Sequence, residues 1–186
     1  MDQQEQELAL PGIYEALARL LEYPQDRQIL QSSLDEVLQH IGESGAGTGI
    51  TGYAEFLQQS PLTELQEEYV ANFDFNPVKS PYLGHHLHGE GQKKAAFMIA
   101  VKQEFGRFGF VQPGCELPDH LTVLLYFLSH LARQKEDAPR RDFIRNAVLP
   151  GVDKIISGGE RCDSAWMPVI RTAAMVLQAD CKEVSA

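Results

Sequence analysis

The chain has 186 residues, of which 44% are hydrophobic and 23% charged. This composition is typical of one folded domain with its own core and unlike that of a disordered chain. Lys and Arg total 16 against 26 Asp and Glu, a net charge of −10, which disfavours nucleic acid as a partner because phosphate backbones would be repelled. An acidic surface suits a basic partner such as an arginine-bearing leader peptide, although many cytoplasmic proteins are acidic for solubility alone.

The compartment is indicated by the cysteines and by the N-terminus. Cys115, Cys162 and Cys181 contain no CxxC pair and so predict neither a disulfide framework nor a zinc knuckle. The acidic N-terminus lacks the basic and apolar regions of a secretory signal, and no apolar run is long enough to cross a membrane. We therefore expect a cytoplasmic protein in a reducing environment, with no membrane insertion.

Apolar residues recur at helical spacing throughout, and clean period-two alternation is scarce. The first two apolar stripes cover residues 13–21 and 30–41 and predict two antiparallel helices. We expect residues 1–9, ahead of the first stripe, to be disordered. The glycine-rich residues 42–52 lack the lysine and hydroxyl of a phosphate-binding loop and are interpreted as an interhelical loop.

The middle of the chain predicts a third helix that starts at Ser60-Pro61, with serine as its cap, and ends near Asp74. Residues 74–90 are predicted to be a loop because of their prolines and glycines. An amphipathic helix is expected over residues 91–108. Residues 118–133 are apolar on nearly every side, which predicts the central, most buried helix.

The last third predicts a helix from Phe143 that Pro150-Gly151 kinks or breaks, and a final helix over residues 166–177. There are no internal repeats. The sequence therefore predicts an all-α protein, a single irregular bundle of about seven or eight helices in which residues 1–186 form one domain.

A polar cluster of His85, His88, Glu90 and His120 offers the atom types of a transition-metal site, but its spacing is not that of HExxH on a helix. In a second interpretation these side chains tether the loop to the next helix. In a third they line a peptide-binding surface. Asp119 invites the same choice, because in the first turn of a helix it could simply compensate the helix dipole.

Catalysis has little support in the sequence. There is no GxSxG motif, nucleotide fingerprint or Cys/His/Asn set, and Cys115 has no activating partner unless His120 lies close to it. We therefore expect a protein that is not an enzyme and has no cofactor of its own.

Several segments together carry a family resemblance. They are Glu-Glu-Tyr-Val-Ala-Asn-Phe-Asp at 67–74, Tyr82, His-Gly-Glu at 88–90, Glu-Leu-Pro-Asp-His-Leu at 116–121, and the opening helix at 14–24. With these segments the chain resembles the nitrate reductase molybdenum cofactor assembly chaperones, the NarJ-like branch of the TorD family. The likeness covers roughly residues 10–135.

The resemblance implies an all-helical chaperone without enzymatic activity. Such a chaperone binds the N-terminal segment of the catalytic subunit of a molybdenum-containing oxidoreductase, of the nitrate reductase or DMSO reductase family, during cofactor insertion and before membrane attachment or export. Some relatives bind a twin-arginine leader. Here Ser80-Pro81-Tyr82 lacks the glutamate and serine that often follow in the TorD pattern, which leaves the branch and the client open.

The resemblance also suggests residues that contact the peptide. The expected apolar contacts are Tyr69, Phe73 and Tyr82. The expected polar contacts are Asp74, His88, Glu90, Glu116, Asp119 and His120. Two alternatives stay open at this point: a metal-dependent enzyme built on His85, His88, Glu90 and His120, and a general helical scaffold without a peptide groove.

Overall fold

The computed structural model describes residues 3–42, 48–159 and 164–182, with side chains from residue 10 onward. Over these ranges the chain is helical and forms no strand, which confirms the predicted all-α class. The helices are α1 (Gln3–Leu20), α2 (Arg27–Ile41), α3 (Ile50–Gln59), α4 (Leu62–Tyr69), α5 (Leu83–His88), α6 (Gln92–Arg107), α7 (Leu121–Arg133), α8 (Asp137–Phe143), α9 (Leu149–Gly159) and α10 (Met167–Cys181).

The bundle is built around α7, which packs mainly against α1, while α1 also packs against α2. Nine of the thirteen residues of α7 are buried, which confirms its prediction as the central helix. This position follows from its sequence, because a helix that is apolar on nearly every side has no face to give to solvent.

Two predicted unstructured segments are partly helical. Residues 3–9, expected to be disordered, form the first turns of α1; they contain Gln, Glu, Leu and Ala, all good helix formers. The expected loop 42–52 already contains the start of α3 at Ile50. Residues 43–47 of that loop lie outside the described residues, as does Cys162.

The predicted loop 74–90 contains a further helix, α5, at Leu83–His88. This helix has only six residues, and no apolar periodicity can be recognised over so short a stretch. Its stability comes from packing, since α5 lies against both α6 and α9 and Leu83 is buried next to Gly151 of α9.

Helix starts and ends were predicted less well than the helices themselves. The third predicted helix starts at Leu62, with Pro61 rather than Ser60 at the N-cap. The Ser60 carbonyl accepts a hydrogen bond from Arg27, whose guanidinium also donates to the Leu57 and Gln58 carbonyls. This arginine ties the start of α2 to the end of α3.

Pro150 does not break the helix in which it lies. A π-helical turn, Ile144–Val148, joins α8 to α9 without interruption, and Pro150 is the second residue of α9. Because a π turn is wider than an α turn, it accommodates the missing N–H of proline and the bulk of its ring. A second π-helical turn, Val70–Asp74, extends α4.

The C-terminal helix is attached to the rest of the bundle by a buried ion pair. Arg140 on α8 donates to both carboxylate oxygens of Asp180 on α10, at 2.7 and 2.9 Å. The hydroxyl of Tyr14 on α1 donates to the same carboxylate at 2.7 Å. All three side chains are buried, so this cluster holds three helices in one arrangement.

Candidate functional site

The two segments that flank α6 in the sequence are joined in the structure. The Leu121 N–H donates to the Pro81 carbonyl at 2.8 Å, and the Leu83 N–H donates to the Asp119 carbonyl at 3.0 Å. Between these bonds the backbone forms one isolated antiparallel bridge of Tyr82 with His120. The start of α5 and the start of α7 are therefore one structural unit, although about 35 residues separate them in sequence.

In this junction Tyr82 is half-buried and His120 is buried. Their rings meet edge to face with centroids 4.9 Å apart, and the Tyr82 hydroxyl donates to Glu116 Oε2 at 2.7 Å. His120 is only 4% exposed and caps α7, because its Nδ1 accepts the Thr122 N–H. Burial lowers the pKa of His120 to about 4, so the ring is neutral at pH 7.

A groove of about 510 Å³ lies in front of this junction. It is enclosed by the end of α1, the start of α2, the π turn after α4 and the loop before α7. Its floor is aromatic and includes Tyr69, Phe73, Tyr82 and Tyr126. We call this depression the main groove.

The rim of the main groove is acidic. Among its lining residues are four carboxylates, Glu22, Asp26, Asp74 and Glu116, against one Lys or Arg, Arg19. The guanidinium of Arg19 already lies 3.0 Å from a carboxylate of Glu36, which is not among the lining residues. The main groove therefore has a negative potential that favours a cationic ligand.

The carboxylates of the rim also act on Tyr69. Burial raises the pKa of its phenol, and the charges of Glu116, Asp74 and Glu22 raise it further. These three carboxylates belong to three separate segments, and all of them line the main groove together with Tyr69.

Tyr69 and Phe73, predicted as apolar contacts, lie in the floor but are largely buried. The Tyr69 hydroxyl donates to the Leu21 carbonyl at 3.1 Å. Its ring lies 4.8 Å from Phe73 and 5.5 Å from Trp166, in both cases edge to face. Both residues thus support the groove from below, and a direct contact with a peptide stays a prediction.

Asp119, predicted as a polar contact, is fully buried. The expectation that it lies in the first turn of a helix is wrong, because α7 begins two residues later with His120 as its cap. Its Oδ2 accepts the Gly84 N–H at 3.0 Å. A Cβ at Gly84 would lie only 2.7 Å from that oxygen, so the glycine allows the close approach of α5. Asp119 holds the junction together from inside.

His88 and Glu90 lie beyond the main groove, where α5 ends. The His88 ring packs on Phe97 at 5.4 Å. Glu90 is exposed and lies 2.9 Å from His85 Nδ1 and 3.0 Å from Lys94 Nζ. Glu90 and His85 line a smaller neighbouring groove of about 380 Å³, which shares Phe73, Asp74 and Tyr82 with the main groove.

The metal-site alternative needs His85, His88, Glu90 and His120 to converge. His120 instead caps α7 next to Tyr82, while His85 and Glu90 pair at the end of α5. Within residues 3–42, 48–159 and 164–182, no group of three or more His, Cys, Asp or Glu side chains is placed to hold a metal ion.

Some residues of the groove were missed by the sequence reasoning. Glu22 accepts a hydrogen bond from the Tyr126 hydroxyl at 2.9 Å, which fixes one carboxylate of the rim. Tyr23 and Ile29, 44% and 48% exposed, add apolar surface at the edge. The resembling segment 14–24 contained two of these residues, Glu22 and Tyr23, but nothing in it indicated that they line the same groove as Glu116.

The fold matches that of a known class of proteins. A crystal structure from Archaeoglobus fulgidus, described as a redox enzyme maturation protein, superposes with a TM-score of 0.58 and 20% identity over 98% of this chain and 94% of that one. Residues 42–171 match the family model described as nitrate reductase delta subunit. The chain belongs to this family, which confirms the resemblance predicted from its sequence.

Two curated relatives are similar along much of the chain. The probable nitrate reductase molybdenum cofactor assembly chaperone NarJ of Bacillus subtilis is 25% identical over 89% of this chain and 88% of its own length. The probable chaperone of the same kind named NarW, from Escherichia coli, is 28% identical over 64% of this chain. The match covers only 50% of the length of NarW. No helix in the described part of the chain has the length and apolar character to cross a bilayer.

Proposed function

We propose that this protein is an assembly chaperone for a nitrate reductase-type molybdoenzyme. It acts in the cytoplasm by binding the N-terminal segment of the catalytic subunit during cofactor insertion, before membrane attachment or export. Family membership and the names of the relatives support the chaperone role. The relatives are named as chaperones rather than enzymes, which also supports a non-catalytic role.

The observation that carries this proposal is the junction of Tyr82 with His120 behind the main groove. Both residues line the groove, and Glu116, which lines it too, bonds to the Tyr82 hydroxyl. Two of the segments that resemble the chaperone family, Tyr82 and residues 116–121, thus build one wall of one concave surface. A general helical scaffold would give no reason for them to meet there.

The shape and charge of the main groove suit a short basic peptide. A volume of about 510 Å³ is within the range of pockets that take small ligands, so it accommodates a few residues of a peptide rather than a folded domain. The aromatic floor and the exposed apolar edge of the main groove can bury the apolar side of an amphipathic peptide segment. The carboxylates of the rim then attract its Lys or Arg residues and mainly determine encounter rate and specificity.

A binding experiment tests the proposal. The probe is a synthetic peptide of the first 20 or so residues of the nitrate reductase catalytic subunit from the same organism, titrated into the full chain by calorimetry. Glu22→Gln and Glu116→Gln should each weaken binding and reduce its dependence on salt, since salt screens charges over about 10 Å at 0.1 M and about 3 Å at 1 M. Glu55→Gln, an exposed carboxylate on α3 outside the groove, is the matched control.

Co-purification from the native cell complements the titration. The chaperone should be recovered with the catalytic subunit before that subunit contains its cofactor. Absence of any complex with a nitrate reductase catalytic subunit, in both experiments, would rule out the proposed function. If the affinity changes neither with salt nor in the two rim variants, the chaperone role stands but the main groove is not the binding site.

A further inference from the structure

Asp119 has one oxygen that is buried without a hydrogen bond. Its Oδ2 accepts the Gly84 N–H at 3.0 Å, whereas its Oδ1 is buried and has no hydrogen-bond partner among the described residues. Buried polar atoms are normally bonded, and leaving one unbonded costs free energy. The junction of α5 with the start of α7 therefore contains an acceptor that one more donor could satisfy.

The side chain of Lys94, on α6, passes close to this carboxylate. A Cβ at Gly84 would lie 3.3 Å from Lys94 Cγ and 2.7 Å from Asp119 Oδ2, so those two atoms are at most 6.0 Å apart. The ammonium is three bonds of about 1.5 Å beyond Cγ and can reach the carboxylate by rotation about them. Burial raises the pKa of Asp119, and the charge of Lys94 acts in the opposite direction.

In the structure the ammonium of Lys94 is engaged elsewhere. Its Nζ lies 3.0 and 3.3 Å from the two carboxylate oxygens of Glu90. Glu90 is exposed, and an ion pair in solvent contributes little because water screens it and both side chains lose rotational freedom. A competing cation at Glu90 is therefore sufficient to release Lys94.

Glu90 lies where a cation of the peptide would meet it. Glu90 and Lys94 line the smaller groove, which is continuous with the main groove through Phe73, Asp74 and Tyr82. A Lys or Arg side chain attracted by the acidic rim has Glu90 as a further carboxylate to pair with.

We propose that Lys94 moves from Glu90 to Asp119 when a Lys or Arg side chain of the bound peptide pairs with Glu90. This inference rests on the proposed function and adds Lys94 as a positioning residue of the site. The released ammonium gives Oδ1 of Asp119 its missing donor and adds an ion pair inside the junction. Occupation of the grooves thereby stabilises the junction that forms their wall.

The movement is tested first without a peptide. Glu90→Gln removes the competing charge, and carbon-13 NMR of the Asp119 carboxyl group should show its pKa fall by about 1–3, the effect of a cation close to a carboxylate. Loss of the Glu90 charge alone also lowers this pKa. The deciding comparison is therefore made in Lys94→Met, where Glu90→Gln should have little effect. The control is Lys93→Met, an exposed neighbour on α6, where Glu90→Gln should keep its full effect.

The second measurement uses the peptide of the first 20 or so residues of the catalytic subunit. Added to the wild type, it should lower the pKa of Asp119 in the same way. Hydrogen exchange of the Gly84 N–H should slow by about 3- to 10-fold, the gain expected from one added bond. In Lys94→Met the peptide should produce neither change.

The outcomes distinguish the movement from the function on which it rests. If Glu90→Gln lowers the pKa of Asp119 equally with and without Lys94, the lysine does not move, and the chaperone role stands. If the wild type binds the peptide and the pKa of Asp119 stays the same, the peptide does not displace Lys94, and the inference is wrong. If the wild type binds no catalytic-subunit peptide, the proposed function fails and this inference with it.

Discussion

Replacing Asp119 by alanine tests whether this carboxylate is structural, as its position indicates. The substitution removes the acceptor of the Gly84 N–H, a bond that lies inside the protein between α5 and the start of α7. An unsatisfied buried N–H costs about 1–3 kcal/mol. The whole stability of a domain is about 5–15 kcal/mol, so Asp119→Ala should fold but be clearly less stable.

The matched variant is Asp119→Asn, which can keep an acceptor for Gly84 without a charge. Burial raises the pKa of Asp119, which means that its charged form is disfavoured inside the protein. The loss of the charge is therefore cheap. The amide NH2 of Asn, however, would replace Oδ1, a buried oxygen without a hydrogen-bond partner among the described residues, so Asp119→Asn should recover only part of the stability that Asp119→Ala loses.

Denaturation in urea measures the free energy of unfolding of both variants. Thermal melts are a second measure, because a change of 1 kcal/mol shifts the melting temperature of a chain of this size by about 2–4 °C. A stability of Asp119→Ala equal to that of the wild type would refute the structural role. So would an equal loss in both variants, because the acceptor of Gly84 would then not be the group that matters.

Three further predictions concern stability and are checked by the same measurements. Leu125→Asp, in the middle of α7, should unfold the protein, because an unpaired buried charge costs several kcal/mol; a cooperative melt near the wild-type temperature would contradict this. Asp180→Ala should cost up to about 3 kcal/mol, the low end of the range for breaking a buried ion pair, since it removes the buried carboxylate from Arg140 and leaves that guanidinium only its pair with the more exposed Asp137. Burial raises the pKa of Asp180, but the hydrogen bonds from Arg140 and Tyr14 lower it, and the net pKa is below its usual value. The stability that the charged carboxylate contributes is therefore present at neutral pH and is lost as the pH falls through the lowered pKa. In a plot of unfolding free energy against pH, Asp180→Ala should reduce the fall on the acid side. Gly151→Ala should destabilise the protein by about 1–3 kcal/mol because the new Cβ would lie 2.8 Å from the Leu83 side chain. The control is Gly106→Ala on α6, where nothing lies within 4 Å of the new Cβ; it should stabilise the protein by up to about 1 kcal/mol.

Long apolar periodicity predicted the bundle well, and short or interrupted elements were missed. The helices α6 and α7 carry their stripes over at least thirteen residues, so their position was readable from the sequence. The helix α5 has six residues and depends on packing against α6 and α9, which no local pattern reveals. Pro150-Gly151 was expected to kink or break a helix, and the preceding π turn, which accommodates Pro150, has no sequence signature.

The sequence predicted which segments form the candidate site, but not which of their side chains face the groove. The resembling segments around Tyr82 and His120 do meet, but the division between buried and exposed groups depends on the fold. Asp119 and His120 are neighbours in sequence, yet one is bonded inside the junction and the other lines the groove. Glu22 and Tyr126 bond across 104 positions, a distance at which a single sequence gives no signal.

The aromatic floor of the main groove has an optical consequence. Trp166 is the single tryptophan of the chain, and it is buried. Its ring lies 5.5 Å from the ring of Tyr69. The Tyr69 ring in turn lies 5.6 Å from the half-exposed ring of Tyr23 at the edge of the groove. Tyrosine passes its excitation to tryptophan over such distances. The intrinsic fluorescence of the unlabelled protein should therefore change when the groove is filled, so the chain contains its own reporter for binding kinetics.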